Sequence, residues 1–133
     1  MKINGGCHCG RVTYEAEVEM GRVVICHCDD CQTLTGSAFR VSIPARREQI
    51  QVTGETRVYI KLGESGARRH QHFCPDCASH LFVHGEGDTA DAWAIRWGGV
   101  RQRDQFAPTL QLWRRSAAPW VCAFDDVPAR EKD

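Results

Sequence analysis

The sequence predicts an all-β domain stapled by metal, and three observations carry that expectation. Short runs alternate apolar and polar residues, or are rich in β-branched and aromatic ones. Turn-forming glycines and prolines separate these runs at close intervals. Seven of the eight cysteines fall in three tight clusters, C-x-C, C-x-C-x-x-C and C-x-x-C, which is metal-ligand spacing.

Taken in order, Gly5-Gly6-Cys7-His8-Cys9-Gly10 opens the chain, and its glycines reach the dihedrals needed to wrap a backbone round a cation. Val12 to Glu19 alternates strictly and reads as a strand with one buried face. After Gly21, Val23-Val24-Ile25 is a short strand that delivers Cys26; on an extended backbone Cys26 and Cys28 share a face and His27 points away. Asp29 to Leu34, closed by Gly36, reads as one helical turn capped by Asp29, which swings Cys31 back towards the other two thiols. Ala38–Ile43, Gln49–Thr53, Thr56–Leu62 and Arg68–Phe73 follow as strands, with the alternation of Arg68 to His72 marking a solvated face. Cys74-Pro75-Asp76-Cys77 is a tight knuckle. Leu81–His84 and Ala92–Trp97 are strands joined by a glycine-rich turn, and Leu110–Trp113 and Trp120–Phe124 are short apolar returns. Cys122, inside the last of these, is expected to be a buried, inert thiol. Trp93, Trp97, Trp113 and Trp120 are expected to pack in the core or across a homodimer interface. Residues 1–124 form one domain on this reading, and 125–133 a loose charged tail.

The 133 residues suffice for one core, and their 17 basic and 17 acidic side chains cancel. A neutral chain exerts no global pull on nucleic acid or an anionic membrane, so neither is expected as a partner. No apolar run approaches a bilayer span, and Met1-Lys2-Ile3-Asn4 does not begin a leader segment, so a soluble cytoplasmic protein is expected. In that reducing setting, bunched thiols favour zinc over disulfides.

With Cys122 set aside, seven thiols divide into four and three. One division gives Cys7, Cys9, Cys74 and Cys77 to a closed structural zinc and leaves Cys26, Cys28 and Cys31 for a second ion with an open corner. Spacing alone also permits Cys7, Cys9, Cys26 and Cys28 together, with Cys31 joining Cys74 and Cys77. The first division keeps neighbouring thiols together and orders less loop. Three thiolates make the zinc a weak Lewis acid for oxygen but a suitable receptor for an incoming sulfur.

Gly6-Cys7-His8-Cys9-Gly10-Arg11-Val12, Cys26-His27-Cys28-Asp29-Asp30-Cys31-Gln32 and Phe73-Cys74-Pro75-Asp76-Cys77 together resemble the glutathione-dependent formaldehyde-activating enzyme family. That family is similar in turn to the centromere-protein-V-like domain. The likeness runs from about Gly5 to Trp120 and includes Pro108 to Trp113, where relatives often carry histidine at the position of Gln111. Relatives usually carry glycine after the last knuckle cysteine, where this chain has Ala78, and often a basic pair where it has Gln32-Thr33. The resemblance implies coiled antiparallel β-sheets like those of methionine sulfoxide reductase B. It also implies two zinc ions per chain, one structural on Cys7, Cys9, Cys74 and Cys77 and one functional on Cys26, Cys28 and Cys31. The implied substrate is a small thiol such as glutathione, joined to formaldehyde in a carbon–sulfur lyase type of reaction. His27, His80 and His84 are candidates for moving the proton, and Arg40, Arg46 and Arg68 for clamping an anionic thiol. Two rival functions are a noncatalytic zinc module that docks protein or nucleic acid, and a thiol redox protein using Cys122.

Overall fold

Alternation in the sequence becomes two sheets that share one apolar layer. The computed structural model describes residues 1–132. Its elements are β1 (Lys2–Gly6), β2 (Thr13–Glu17), β3 (Val24–Cys26), α1 (Asp29–Thr35), β4 (Arg40–Arg46), β5 (Ile50–Thr53), β6 (Arg57–Leu62), β7 (Arg68–Phe73), β8 (His80–His84), β9 (Ala92–Arg96) and β10 (Leu110–Leu112). Strands β1, β2 and β5 form a three-stranded sheet in that order, and the other seven run β10-β3-β4-β9-β8-β7-β6. The all-β expectation holds, with α1 as the sole α-helix among the described residues.

The core lies between the sheets. Ile3, Tyr14, Ala16 and Ile50 of the small sheet meet Ile43, Phe82 and Ile95 of the large one, all buried. The Tyr14 and Phe82 rings pack edge to face with centroids 5.1 Å apart, a favoured aromatic geometry. In β2 the alternation is as expected, with Tyr14 and Ala16 inward and Glu15 and Glu17 outward. Strand β1 was not anticipated, because Lys-Ile-Asn-Gly-Gly has little strand character. Gly5 sits there because any Cβ would collide with the Tyr14 ring and the Gly99 carbonyl oxygen.

The opposite face of the large sheet carries buried polar residues. Ser42 pairs with Arg96 in register, and Cys26 with Arg40, which lies two residues before Ser42 and so on the same face. Gln71 reaches the same group from β7.

Several expectations need correction. Strand β10 pairs with β3 in parallel, so the large sheet is mixed rather than purely antiparallel. Trp120–Phe124 is a chain of turns, not a returning strand; Trp120 and Phe124 are exposed, and only Val121 is buried. Cys122 is exposed, with φ of 68°, rather than buried. The expected solvated face of Arg68 to His72 is partly covered: His70 stacks on His84 at 4.7 Å, His84 on Trp93 at 4.5 Å, and burial pulls His72 down to about 4. Trp93 and Trp97 pack against the core, whereas Trp113 and Trp120 are exposed. Of the tail 125–133, Asp133 lies outside the described residues, and the remainder has no regular structure.

Candidate metal centres

Cys7 and Cys9 lie in the loop that joins β1 to β2, and Cys74 and Cys77 in the knuckle between β7 and β8. The four sulfurs lie within 4.8 Å of one another. Cys7 and Cys9 are 3.6 Å apart and Cys9 and Cys74 3.8 Å apart. A tetrahedron with zinc–sulfur bonds of about 2.3 Å has edges of about 3.8 Å, so these spacings fit such an ion. The backbone N–H of Val12 donates to the Cys7 sulfur at 3.2 Å, and the Ser79 hydroxyl lies 3.2 Å from that of Cys77. The Ser79 hydroxyl is the foremost cause holding the Cys77 thiol down at about 5. Such donors orient thiolates around a metal.

The knuckle is closed by Ala78, whose N–H donates to the Cys74 carbonyl at 2.9 Å while its own φ is +60°. An alanine in this left-handed conformation costs about 1–2 kcal/mol. Ala78→Gly relieves that strain at some cost in unfolded-chain entropy. A net gain of roughly 0.5–1 kcal/mol is expected, read as a higher midpoint in urea unfolding.

Cys26, Cys28 and Cys31 form a second group, their sulfurs again within 4.8 Å of one another and all half-buried. Cys26 ends β3. Cys28, not Asp29, caps α1: its backbone is extended and its sulfur accepts the Cys31 N–H at 3.4 Å. Cys31 stands in the first turn, and Gly36 ends the helix in the left-handed conformation. Lys61 of β6 holds the helix by a 2.9 Å ion pair with Asp30. Gln32 donates to the carbonyls of His27 and Ser116 at 2.7 and 3.0 Å, tying α1 to the later chain. Among the described residues no fourth Cys, His, Asp or Glu joins these three sulfurs.

Charge is shared unevenly among them. The Cys31 thiol, foremost, holds Cys26 down at about 5, with Cys28 and Lys61 assisting against burial; Cys31 in turn is pushed up by the neighbouring Cys26 and by burial. Arg40 lies close enough for its charge to act on all three sulfurs.

The histidine and arginine candidates separate. His27 points away from the thiols, buried, with Nε2 2.8 Å from Gln111 Oε1; since that oxygen only accepts, Nε2 carries the proton. His84 belongs to the stack on Trp93, its Nε2 3.1 Å from that of His72. His80 lies near Arg40 and Arg96, and burial, then those charges, lowers its affinity for a proton. Arg46 reaches only Glu48, and Arg68 pairs with Glu86 at 2.9 Å, so Arg40 alone of the three arginines stands beside the thiols. Arg96 was missed. The one hint was a charged residue ending the otherwise apolar run Ala92 to Ile95.

The model of the family described as glutathione-dependent formaldehyde-activating enzyme matches residues 2–116 of this chain. The chain belongs to the glutathione-dependent formaldehyde-activating enzyme family. Both cysteine groups lie within the matched span. A crystal structure of a Rhodobacter sphaeroides protein is similar in fold, with a TM-score of 0.60 at 21% identity, covering 82% of this chain and 99% of that one. At that identity the likeness concerns the fold alone. Membership of the formaldehyde-activating family supports a function tied to glutathione and formaldehyde, and both cysteine groups could hold metal. No helix is long and apolar enough to cross a membrane among the described residues.

Proposed function

We propose that this formaldehyde-activating family member is a zinc-dependent enzyme of the carbon–sulfur lyase type, acting on the adduct of a small thiol, such as glutathione, with formaldehyde. Cys7, Cys9, Cys74 and Cys77 hold a structural zinc; Cys26, Cys28 and Cys31 hold the functional one. The observation that carries this reading is the three-sulfur group with no fourth protein donor at hand among the described residues. Zinc bound there supplies an acceptor for a substrate sulfur, favouring its thiolate at neutral pH. In the synthetic direction a sulfur–carbon bond forms, the carbonyl double bond becomes single, and the thiol proton ends on oxygen as the hydroxyl of the S-hydroxymethyl adduct. Cleavage is the reverse. Arg40 stabilises negative sulfur from within the sheet, and Asp30, Lys61 and Gln32 fix the helix that presents Cys31.

Two zinc ions per chain are expected, the one on Cys26, Cys28 and Cys31 leaving first under mild chelation. Exchange between labelled formaldehyde and its glutathione adduct, followed by NMR, should exceed the spontaneous rate and fall to it when that ion leaves. An exchange rate at background with both ions bound would overturn the proposal.

A further inference from the structure

Three histidines of β7 and β8 belong to neither cysteine group. His70 lies opposite His84 in register, and His72 opposite Phe82. His72 and His84 are therefore diagonal neighbours on one face of the hairpin, within reach of each other. Their Nε2 atoms are 3.1 Å apart, and both rings are half-buried. The His84 ring is clamped between His70 at 4.7 Å and Trp93 at 4.5 Å, tilted by only 12° from each. His70 is a wall of this stack, since its own Nε2 is taken by the Glu86 carboxylate at 2.6 Å.

The remaining ring nitrogens settle where the protons sit. His84 Nδ1 is 2.7 Å from the Gly85 carbonyl oxygen, which only accepts, so Nδ1 carries the proton and Nε2 of the neutral ring offers a lone pair. His72 Nδ1 is 2.9 Å from the Thr56 hydroxyl, which can donate or accept. Without a cation, His72 donates from Nε2 to His84 and accepts from Thr56. If the His72 proton moves to Nδ1 and the hydroxyl turns round to accept it, both Nε2 lone pairs become free together. Each ring then has an oxygen holding its far N–H, which is the arrangement that orients metal-binding imidazoles.

The spacing agrees. Two nitrogens bound at about 2.0–2.1 Å, at right or tetrahedral angles, stand roughly 2.9–3.4 Å apart.

We propose that His72 and His84 form a further metal site, a clip across β7 and β8 for an imidazole-preferring divalent transition cation such as zinc. Nitrogen donors exclude calcium and magnesium as its natural occupants. Water completes the shell. Without thiolates the site holds its ion far more weakly than either cysteine group, so it is read by titration and not by metal content. The clip spans the hairpin whose connection carries Cys74 and Cys77, and an ion there stabilises that hairpin by mass action. It is independent of the thiol chemistry proposed above.

Zinc is the probe, because it neither oxidises thiols nor displaces the ions the cysteines already hold. Titration calorimetry of zinc into the zinc-loaded protein should show one further equivalent per chain. Its affinity should fall at least tenfold in His84→Gln and roughly tenfold in Thr56→Val, which keeps the side chain's shape and loses the acceptor for the His72 Nδ1 proton. His8→Gln, which alters an exposed ring beside the four-cysteine group, should leave it unchanged. Circular dichroism establishes that each variant is folded; if His84→Gln is not, Thr56→Val and the wild-type spectra decide. In long-range 1H–15N spectra of the wild type, zinc should shift the Nε2 signals of His72 and His84 and move the His72 proton from Nε2 to Nδ1. No further equivalent, one equally tight in the folded variants, or Nε2 signals unmoved by zinc overturns the assignment.

Discussion

Cys74→Ser will leave the chain without a stable fold. The Cys74 sulfur is completely buried and lies against that of Cys9, so the variant offers the cluster a hard oxygen at its most enclosed corner. The cluster joins the hairpin of the small sheet to the knuckle between two strands of the large one, and the core lies between them. A structural zinc contributes on the order of 10 kcal/mol to folding in zinc-finger peptides. Net stability of a domain of this size is about 5–15 kcal/mol. Losing most of the first removes most or all of the second. Thermal unfolding by circular dichroism, together with zinc content, reads the result: no cooperative transition and one zinc fewer per chain. Cys122→Ser is the control, since that thiol is exposed and belongs to neither cluster, and it should melt with the wild type. A cooperative transition for Cys74→Ser within a few degrees of wild type would show that the cluster does not hold the fold together.

The second large effect is on activity. Cys28→Ser retains a capping oxygen for α1 and lies in a half-buried position, so the fold should remain. It removes one of three soft donors, and catalytic metals supply several kcal/mol of stabilisation, so turnover should fall by roughly 10³-fold. Adduct exchange and melting temperature, measured on the same preparation, separate the two readouts. Normal exchange in a folded Cys28→Ser variant would remove this sulfur from the mechanism. The metal-stripped wild type carries a related expectation in its pH dependence. Because Cys26 is lowered to about 5, it is mostly thiolate above that pH and is lost as a nucleophile below it. Iodoacetamide should therefore label Cys26 ahead of the other two thiols at pH 6 and lose that preference towards pH 4.

The sequence conveyed best whatever depends on neighbours along the chain. The turn that brings Cys31 back to Cys26 and Cys28 is local, and so are the C-x-C and C-x-x-C geometries that aim pairs of thiols. Strand β2 was legible because its alternation survives burial on one face. The parallel pairing of β10 with β3 was not, since it joins residues some 86 positions apart with no local cue. Arg96 was hidden for a different reason: a charged residue at a strand end ordinarily points to water, and only the register with Ser42 and the reach to Gln71 reveal it as buried. The tryptophan-bearing segment after Ala118 misled because apolar composition says nothing of whether a partner surface exists to cover it. In the histidine-rich strand β7, polar side chains form a stack of their own, which a hydropathy pattern registers as exposure.

The parallel strand also has a consequence for how the molecule is made. A ribosome releases Cys26, Cys28 and Cys31 before β10, whose Leu112 carbonyl accepts the His27 N–H beside them and which emerges only after β4 to β9. Cys7 and Cys9 likewise wait for Cys74 and Cys77. Until Cys74 and Cys77 emerge the nascent polypeptide thus carries five unshielded sulfurs, and its maturation is sensitive to how quickly metal and β10 arrive relative to oxidant.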